Sequence, residues 1–336
     1  MKRSKWVAGL AIAAAGALML SACSSDSGDK GDTGNNGDTP AAAESYKIGV
    51  AQLVQHPALD AANEGFKQAL KDAGLDVTYD DQNANGEQST AVTIAQNFAS
   101  GDYDLVLAIA TPVAQAMAQA VTDKPVLFTA VTDAVAAQIV ASNEAPGANV
   151  TGTSDAAPMA DQFDLIKQFL PDVKTIGTVY SSAEANSQVQ AKQAQEIAAS
   201  KGFTLVEKTV TTANEIPQAT EALGDVDAIY IFTDSTVVAG LASLVQVAEA
   251  KQIPVFGAEA GTVESGAIAT LGLDYKQLGY QTGQMAVKIL TQGANPATMP
   301  VEFAAPPFTY TVNEGAAQRM GVTIPADILS KADKVG

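Results

Sequence analysis

Between residues 46 and 258 the chain alternates short apolar runs with stretches of helical period, and it does so twice. That alternation limits the fold more than any other feature. Residues 46–53 read as a strand. Residues 57–73 read as a helix, with Ala58, Ala61, Ala62, Phe66 and Leu70 on one face and Gly74 as its stop. Strands follow at 75–79, 104–110 and 126–131, with helices at 87–99 and 112–121, the latter opened by Pro112. After residue 174 the pattern resumes: strands at 175–180, 203–210, 228–232 and 255–258, helices at 183–199, 215–223 and 236–250. Strand-helix-strand order predicts α/β architecture, a parallel sheet covered by helices on both faces. The stretch from Asp104 through Thr111 to Pro125 aligns with that from Asp227 through Thr233 to Pro254. Two similar α/β lobes explain this economically; chance likeness between βα units is the other reading.

Composition agrees. At about 150 residues per domain, 336 residues suggest two domains, and 47% apolar against 17% charged residues suits a large buried core. One Cys cannot form an intrachain disulfide, and one Cys with one His cannot build a structural zinc site. No other metal or cofactor is implied. A net charge of −18 argues against nucleic-acid or anionic-lipid binding, which need basic patches.

The first 45 residues are a different kind of sequence. Lys2, Arg3 and Lys5 precede an apolar run over 6–20 that is too short for a comfortable membrane span. Leu20-Ser21-Ala22-Cys23 then resembles a bacterial lipobox, so residues 1–22 are expected to be a signal peptide and Cys23 a lipidated new N-terminus. An ordinary signal peptide with a chance Cys is the alternative. Cleavage there removes three basic residues, no acidic residue and the only Trp, and takes the net charge from −18 to −21. Residues 23–45, the Cys and a Ser/Gly/Asp/Asn-rich stretch, bury too little to fold and are expected to tether the protein to the outer face of the cytoplasmic membrane.

No P-loop, dinucleotide-binding glycine pattern, G-x-S-x-G elbow or H-E-x-x-H helix occurs. Polar residues at strand ends recur instead, where open α/β sheets bind ligands. Gln52 and His56 follow the first strand, Thr111 and Pro112 the strand at 104–110, and Thr132 and Asp133 the strand at 126–131. Tyr180 and Asn186 follow in the second half, then Asp234. Segments 151–155, with Ser154 and Asp155, and 272–275, with Asp274, have turn-like composition where the chain passes between lobes. The set suits a zwitterion. Asp133, Asp155, Asp234 or Asp274 would take an ammonium group, and hydroxyls and backbone N–H groups at helix starts near Thr111 and Ser235 a carboxylate. The same Ser, Thr and Asp residues are equally good helix N-caps. His56 either stacks on an aromatic ligand or simply caps and packs. Asp133→Ala is expected to weaken binding by at least about 1.5 kcal/mol.

Six segments carry a family resemblance: those beginning at Gln55, Ala108, Thr129, Asn149, Glu184 and Tyr275, including His56-Pro57, Thr111-Pro112, Thr132-Asp133, Thr153-Ser154-Asp155 and Asn186-Ser187. In this order they resemble the tryptophan/tyrosine-type substrate-binding lipoproteins of ABC transporters, over about residues 46–325. The resemblance implies a periplasmic-binding-protein type I fold: two Rossmann-like lobes, three crossovers and a ligand in the cleft. On that basis lobe 1 is expected at 46–151 plus 276–304, and lobe 2 at 152–275 plus 305–336. It also implies delivery of an amino acid, often aromatic, to a membrane permease; the missing catalytic motifs favour binding without chemistry, and a monomer is expected. Gln55, Ser181, Ser235 and the segment 257–261 depart from the family pattern. Competing functions are a sugar or nucleoside receptor on the same fold, a surface-anchored hydrolase using two acidic residues, and a sensor feeding a membrane kinase.

Overall fold

The structure is a computed structural model that describes residues 45–336. The expected signal segment, Cys23 and the tether up to residue 44 lie outside the described residues. Ser45, assigned to the tether, already belongs to the first strand.

Five strands come first: β1 (Ser45–Gln52), β2 (Asp76–Asn83), β3 (Leu105–Ile109), β4 (Val126–Val131) and β5 (Val150–Ser154). They lie in the order β5-β4-β3-β1-β2. A second sheet begins with β6 (Thr175–Ser181), β7 (Thr204–Val210), β8 (Ala228–Ile231), β9 (Val255–Gly257) and β10 (Ala269–Gly272). The short β11 (Glu302–Phe303) returns to pair with β5, and β12 (Thr309–Asn313) and β13 (Asp333–Val335) complete the second sheet. Its order is β13-β12-β10-β9-β8-β6-β7. All pairs are parallel except β10 with β12.

Each sheet has its own core. Ile48, Phe66, Leu107 and Phe128 are fully buried in one, and Phe163, Ile229, Tyr230 and Phe256 in the other. Burying each such side chain contributes about 1.5–3 kcal/mol. Every residue of β3, β4 and β8 is buried, which is why these strands read as continuous apolar runs without alternation.

The chain passes between the sheets three times: after β5, after β10 and after β11. The second passage leads into the helix Tyr275–Gln292, which lies along the helix Pro57–Asp72 of the first lobe. Glycine makes that contact possible. A Cβ at Gly279 would stand 1.8 Å from the Ala62 carbonyl oxygen, and one at Gly65 1.9 Å from that of Lys276. The close pairing brings Tyr275 beside the loop after β1, where His56 sits.

Three local expectations change. Segment 151–155 is no turn: four of its residues are in β5, buried between β4 and β11, so a lobe boundary at 151 would cut a strand. Its threonines suit burial because their hydroxyls are used. Thr151 donates to the Met299 carbonyl at 2.8 Å, and Thr153 donates to the Thr129 hydroxyl at 3.0 Å. The helix expected at 236–250 is two helices, Ser235–Ala239 and Leu241–Lys251, broken at Gly240 where a Cβ would meet Ile216 at 2.4 Å. The antiparallel β12 and the terminal β13 add to a sheet expected to be purely parallel.

Candidate functional site

Residues beyond the carboxyl ends of strands from both sheets line one cleft, the position where open α/β sheets bind ligands. Val54, His56, Thr111, Thr132 and Asp155 come from the first lobe and its exit, and Asn186, Asp234, Ser235, Val238 and Glu259 from the second. The lobes touch directly. The Thr132 and Thr233 hydroxyls are 3.3 Å apart, and Gln88 Nε2 donates to the Ala183 carbonyl at 3.1 Å.

Two strand ends are bent sharply to shape this wall. Ala110, after β3, has φ 84° and ψ 151°, and Ala130, in β4, has φ 55°; both line the cleft. Positive φ strains a residue with a side chain, and such strain concentrates at functional sites. Ala110 is also the N-cap of the helix Thr111–Ala120 and offers it no side-chain cap. Pro112 has no N–H and the Ala114 N–H bonds to the Ala110 carbonyl, so the uncapped first-turn donors are those of Thr111, which lines the cleft, and Val113, an arrangement suited to an anion.

The opposite helix starts are occupied. Glu184 accepts from the Ser235 N–H at 3.1 Å and the Thr236 N–H at 2.9 Å, and Asp234 accepts from the Val237 N–H at 2.8 Å. Ser235 thus has no free N–H for a ligand carboxylate, contrary to expectation. Glu259 closes the helix Ala260–Glu264 in the same way, through the Gly261 and Thr262 N–H groups at 2.6 and 2.7 Å.

The four aspartates proposed for an ammonium group separate clearly. Asp133 accepts from the Val135 and Ala136 N–H groups and lies outside the cleft lining; its place next to Thr132 made it look equivalent. Asp274 caps the helix Tyr275–Gln292 through the Gln277 N–H and also lies outside the cleft lining. Asp234 lines the cleft, but its Oδ2 already accepts from the Ser181 N–H at 2.6 Å and the Ser187 hydroxyl at 2.7 Å. Asp155 differs. Its Oδ2 accepts from the Tyr275 hydroxyl at 2.7 Å, while Oδ1 is buried with no hydrogen-bond partner.

Asn186 is open in the same way: its Nδ2 donates to the Thr233 carbonyl at 2.8 Å, and its buried Oδ1 has no partner. His56 is the third such case. Its Nδ1 accepts from the Ala58 N–H at 3.3 Å, and burial, opposed by the Asp60 charge, holds its pKa down near 4. The ring is therefore neutral with its proton on Nε2, which has no hydrogen-bond partner. His56 both caps a helix and lines the cleft, so the two expectations for it are compatible.

The remaining predicted residues support the wall from behind. Buried Gln52 donates to the Val54 carbonyl at 2.9 Å and to Asp60 at 2.7 Å, which shapes the loop carrying His56. Ser154 donates to the Thr132 carbonyl at 2.9 Å. Pro112 is buried in the first turn of its helix, and Tyr180 packs on Phe232 with ring centroids 5.8 Å apart; neither lines the cleft. Sequence reasoning missed Glu259 and Tyr275 as lining residues. The departure at 257–261 was a signal for the first, and the position of Tyr275 directly after Asp274 for the second.

The lining is acidic. Burial raises the Asp155 carboxyl above its ordinary range, with the Tyr275 and Thr132 hydroxyls opposing. Burial, then the charge of Glu184, raises Asp234, and burial pushes Glu259 up to about 7 against its two N–H donors. A cation entering here would meet carboxyl groups that gain from being neutralised. Among the described residues, no group of three or more His, Cys, Asp or Glu side chains could hold a metal ion.

Comparison with known proteins agrees with this geometry. The family described as ABC transporter substrate binding protein matches residues 47–336. The chain belongs to that family. It is 38% identical over 307 residues to a tyrosine-binding protein of Clostridioides difficile (strain R20291), covering 90% of this chain and 88% of the relative. The binding protein also resembles a Streptococcus pneumoniae ABC domain solved in complex with L-Trp, with 37% identity, TM-score 0.83, and 87% and 100% of the two chains covered. A ligand-free, open substrate-binding protein from Clostridium difficile with adhesive properties is 42% identical over 86% and 99% of the chains, yet its TM-score is 0.67. The more identical chain is thus the one that superposes less well. The two lobes, three passages and mainly parallel sheets are those of periplasmic-binding-protein type I structures.

Proposed function

We propose that the protein is an extracytoplasmic, lipid-anchored binding protein that takes an aromatic amino acid into the interlobe cleft and delivers it to an ABC permease. One observation carries the ligand class: the cleft pairs an unpartnered buried carboxylate oxygen, Asp155 Oδ1, with an uncapped helix start at Thr111. An α-amino acid presents a matching ammonium and carboxylate. Asn186 Oδ1 is left for a further ligand donor, such as an indole N–H or a phenol. Val54, Leu59 and Val238 supply an apolar surface for the side chain. Asp234, Glu184 and Glu259 spend their oxygens on backbone N–H groups, a scaffolding use that favours binding over two-carboxylate hydrolysis.

Ligand that bridges both lobes shifts them toward closure, and the closed form is the one a permease would accept. The names of the relatives that bind tyrosine and L-Trp support an aromatic side chain. The test is a thermal-shift and calorimetric panel of amino acids, sugars and nucleosides on the protein cleaved before Cys23. That form contains no Trp, so bound tryptophan would be its only indole fluorophore. Stabilisation by tryptophan or tyrosine supports the reading. Stabilisation by a sugar or nucleoside, and by no amino acid, overturns it. Membrane attachment is tested separately by Cys23→Ala, which releases the protein from the cell if the lipid is its anchor.

A further inference from the structure

His56 and the turn at 259–261 meet across the cleft from opposite lobes. His56 caps the helix Pro57–Asp72 of the first lobe, and its ring orientation is held by the bond from the Ala58 N–H. Glu259 caps the helix Ala260–Glu264 of the second lobe and is held by two backbone donors. Both partners are thus fixed before the lobes meet. Between them lies Gly261, where a Cβ would stand 2.7 Å from His56 Cε1 and 3.1 Å from Nε2. Gly261 is inside a helix and outside the left-handed region, so its backbone does not require glycine. Helix propensity alone favours alanine there. What the position lacks is room for a side chain: the His56 ring fills that space from the other lobe, and Glu259 Oε2 of the same turn, 2.9 Å from the same Cβ, borders it.

We propose that His56 and the turn 259–261 form the closing seat of the clamp: the imidazole docks in the space left by the absent Gly261 side chain and sets how far the lobes close over their ligand. The proposal rests on the binding-protein reading above and adds the residues that stop the motion. The contact also aims the imidazole Nε2 at the Glu259 carboxyl, 3.7 Å from Oε1. Nε2 is buried with no hydrogen-bond partner, so a few tenths of an ångström more closure brings Glu259 within reach. Burial disfavours the imidazolium form of His56, so the seat works by packing and hydrogen bonding and not as an ion pair.

Gly261→Ala tests this in the whole protein with Cys23→Ser, using spin labels on Gln96→Cys and Gln193→Cys, one exposed position on each lobe. Interlobe distances are read without ligand and with L-tryptophan. The seat predicts that Gly261→Ala folds normally but moves the shortest distances outward in both conditions and weakens tryptophan binding about tenfold. His56→Ala combined with Gly261→Ala should restore the short distances, because the clashing ring is gone. Unchanged distances in Gly261→Ala overturn the seat, and so does a double variant no shorter than the single one, which would place the clash at Glu259. Failure of the amino-acid reading looks different: the unsubstituted protein would show no response to tryptophan or tyrosine, while the ligand-free distances would still decide the seat.

Discussion

Asp155→Asn isolates the charge that the binding reading assigns to the ligand ammonium. The substitution keeps size and shape, and an Asn carbonyl can still accept from the Tyr275 hydroxyl. What disappears is the negative charge behind the unpartnered Oδ1. A hydrogen bond to a charged group contributes about 1.5–3 kcal/mol. The variant should therefore bind an amino acid about 10- to 150-fold more weakly by titration calorimetry. Without ligand the sign reverses. Asp155 is 3% exposed and its carboxyl is raised by burial, so its charge costs the empty protein stability. The ligand-free variant should melt no lower than the unsubstituted protein. Weaker binding with unchanged or higher Tm is the signature of a binding carboxylate. An affinity within about twofold of the original would refute the assignment, and a Tm loss of several degrees would show that Asp155 supports the fold instead.

Asp133→Ala should leave affinity unchanged and cost about 1 kcal/mol of stability in denaturant titration, because it removes a cap outside the cleft lining. Gly279→Val should destabilise the first lobe by at least about 2 kcal/mol, since even a Cβ would collide with the Ala62 carbonyl, and Tm without ligand reads this directly. The pH dependence follows from Glu259, raised from 4.5 to about 7 by burial, and from Asp234, raised by burial and Glu184. Both hold protons in the folded state that they have lost in the unfolded state. Their contribution is thus fully present below about pH 4 and fades as pH rises through about 7. The ligand-free Tm should fall between about pH 5 and pH 8, and Glu259→Gln should flatten that fall.

Much of the fold was legible because its signals are local. Strands such as β3 and β4 read as apolar runs, and the helix Pro57–Asp72 shows its period, its Pro start and its Gly stop within one window. β5 was illegible because Thr-Gly-Thr-Ser resembles a turn until Met299 and Thr129 arrive to pair its hydroxyls. The break at Gly240 was equally hidden, and the side chain that leaves no room for a Cβ there, Ile216, lies in another helix.

The site divides along the same line. By itself the sequence determined two α/β lobes and placed polar side chains at their strand ends, because hydrophobic period and turn chemistry act over a few residues. Only the tertiary structure decided which of those side chains face a ligand. Asp133, Asp155, Asp234 and Asp274 look alike along the chain, and each oxygen's availability depends on partners such as Tyr275, 120 residues from Asp155, or Ser181, 53 from Asp234. A buried polar atom is free to bind only when folding leaves it unpaired, and pairing is settled by what the other lobe and the returning helix bring to it.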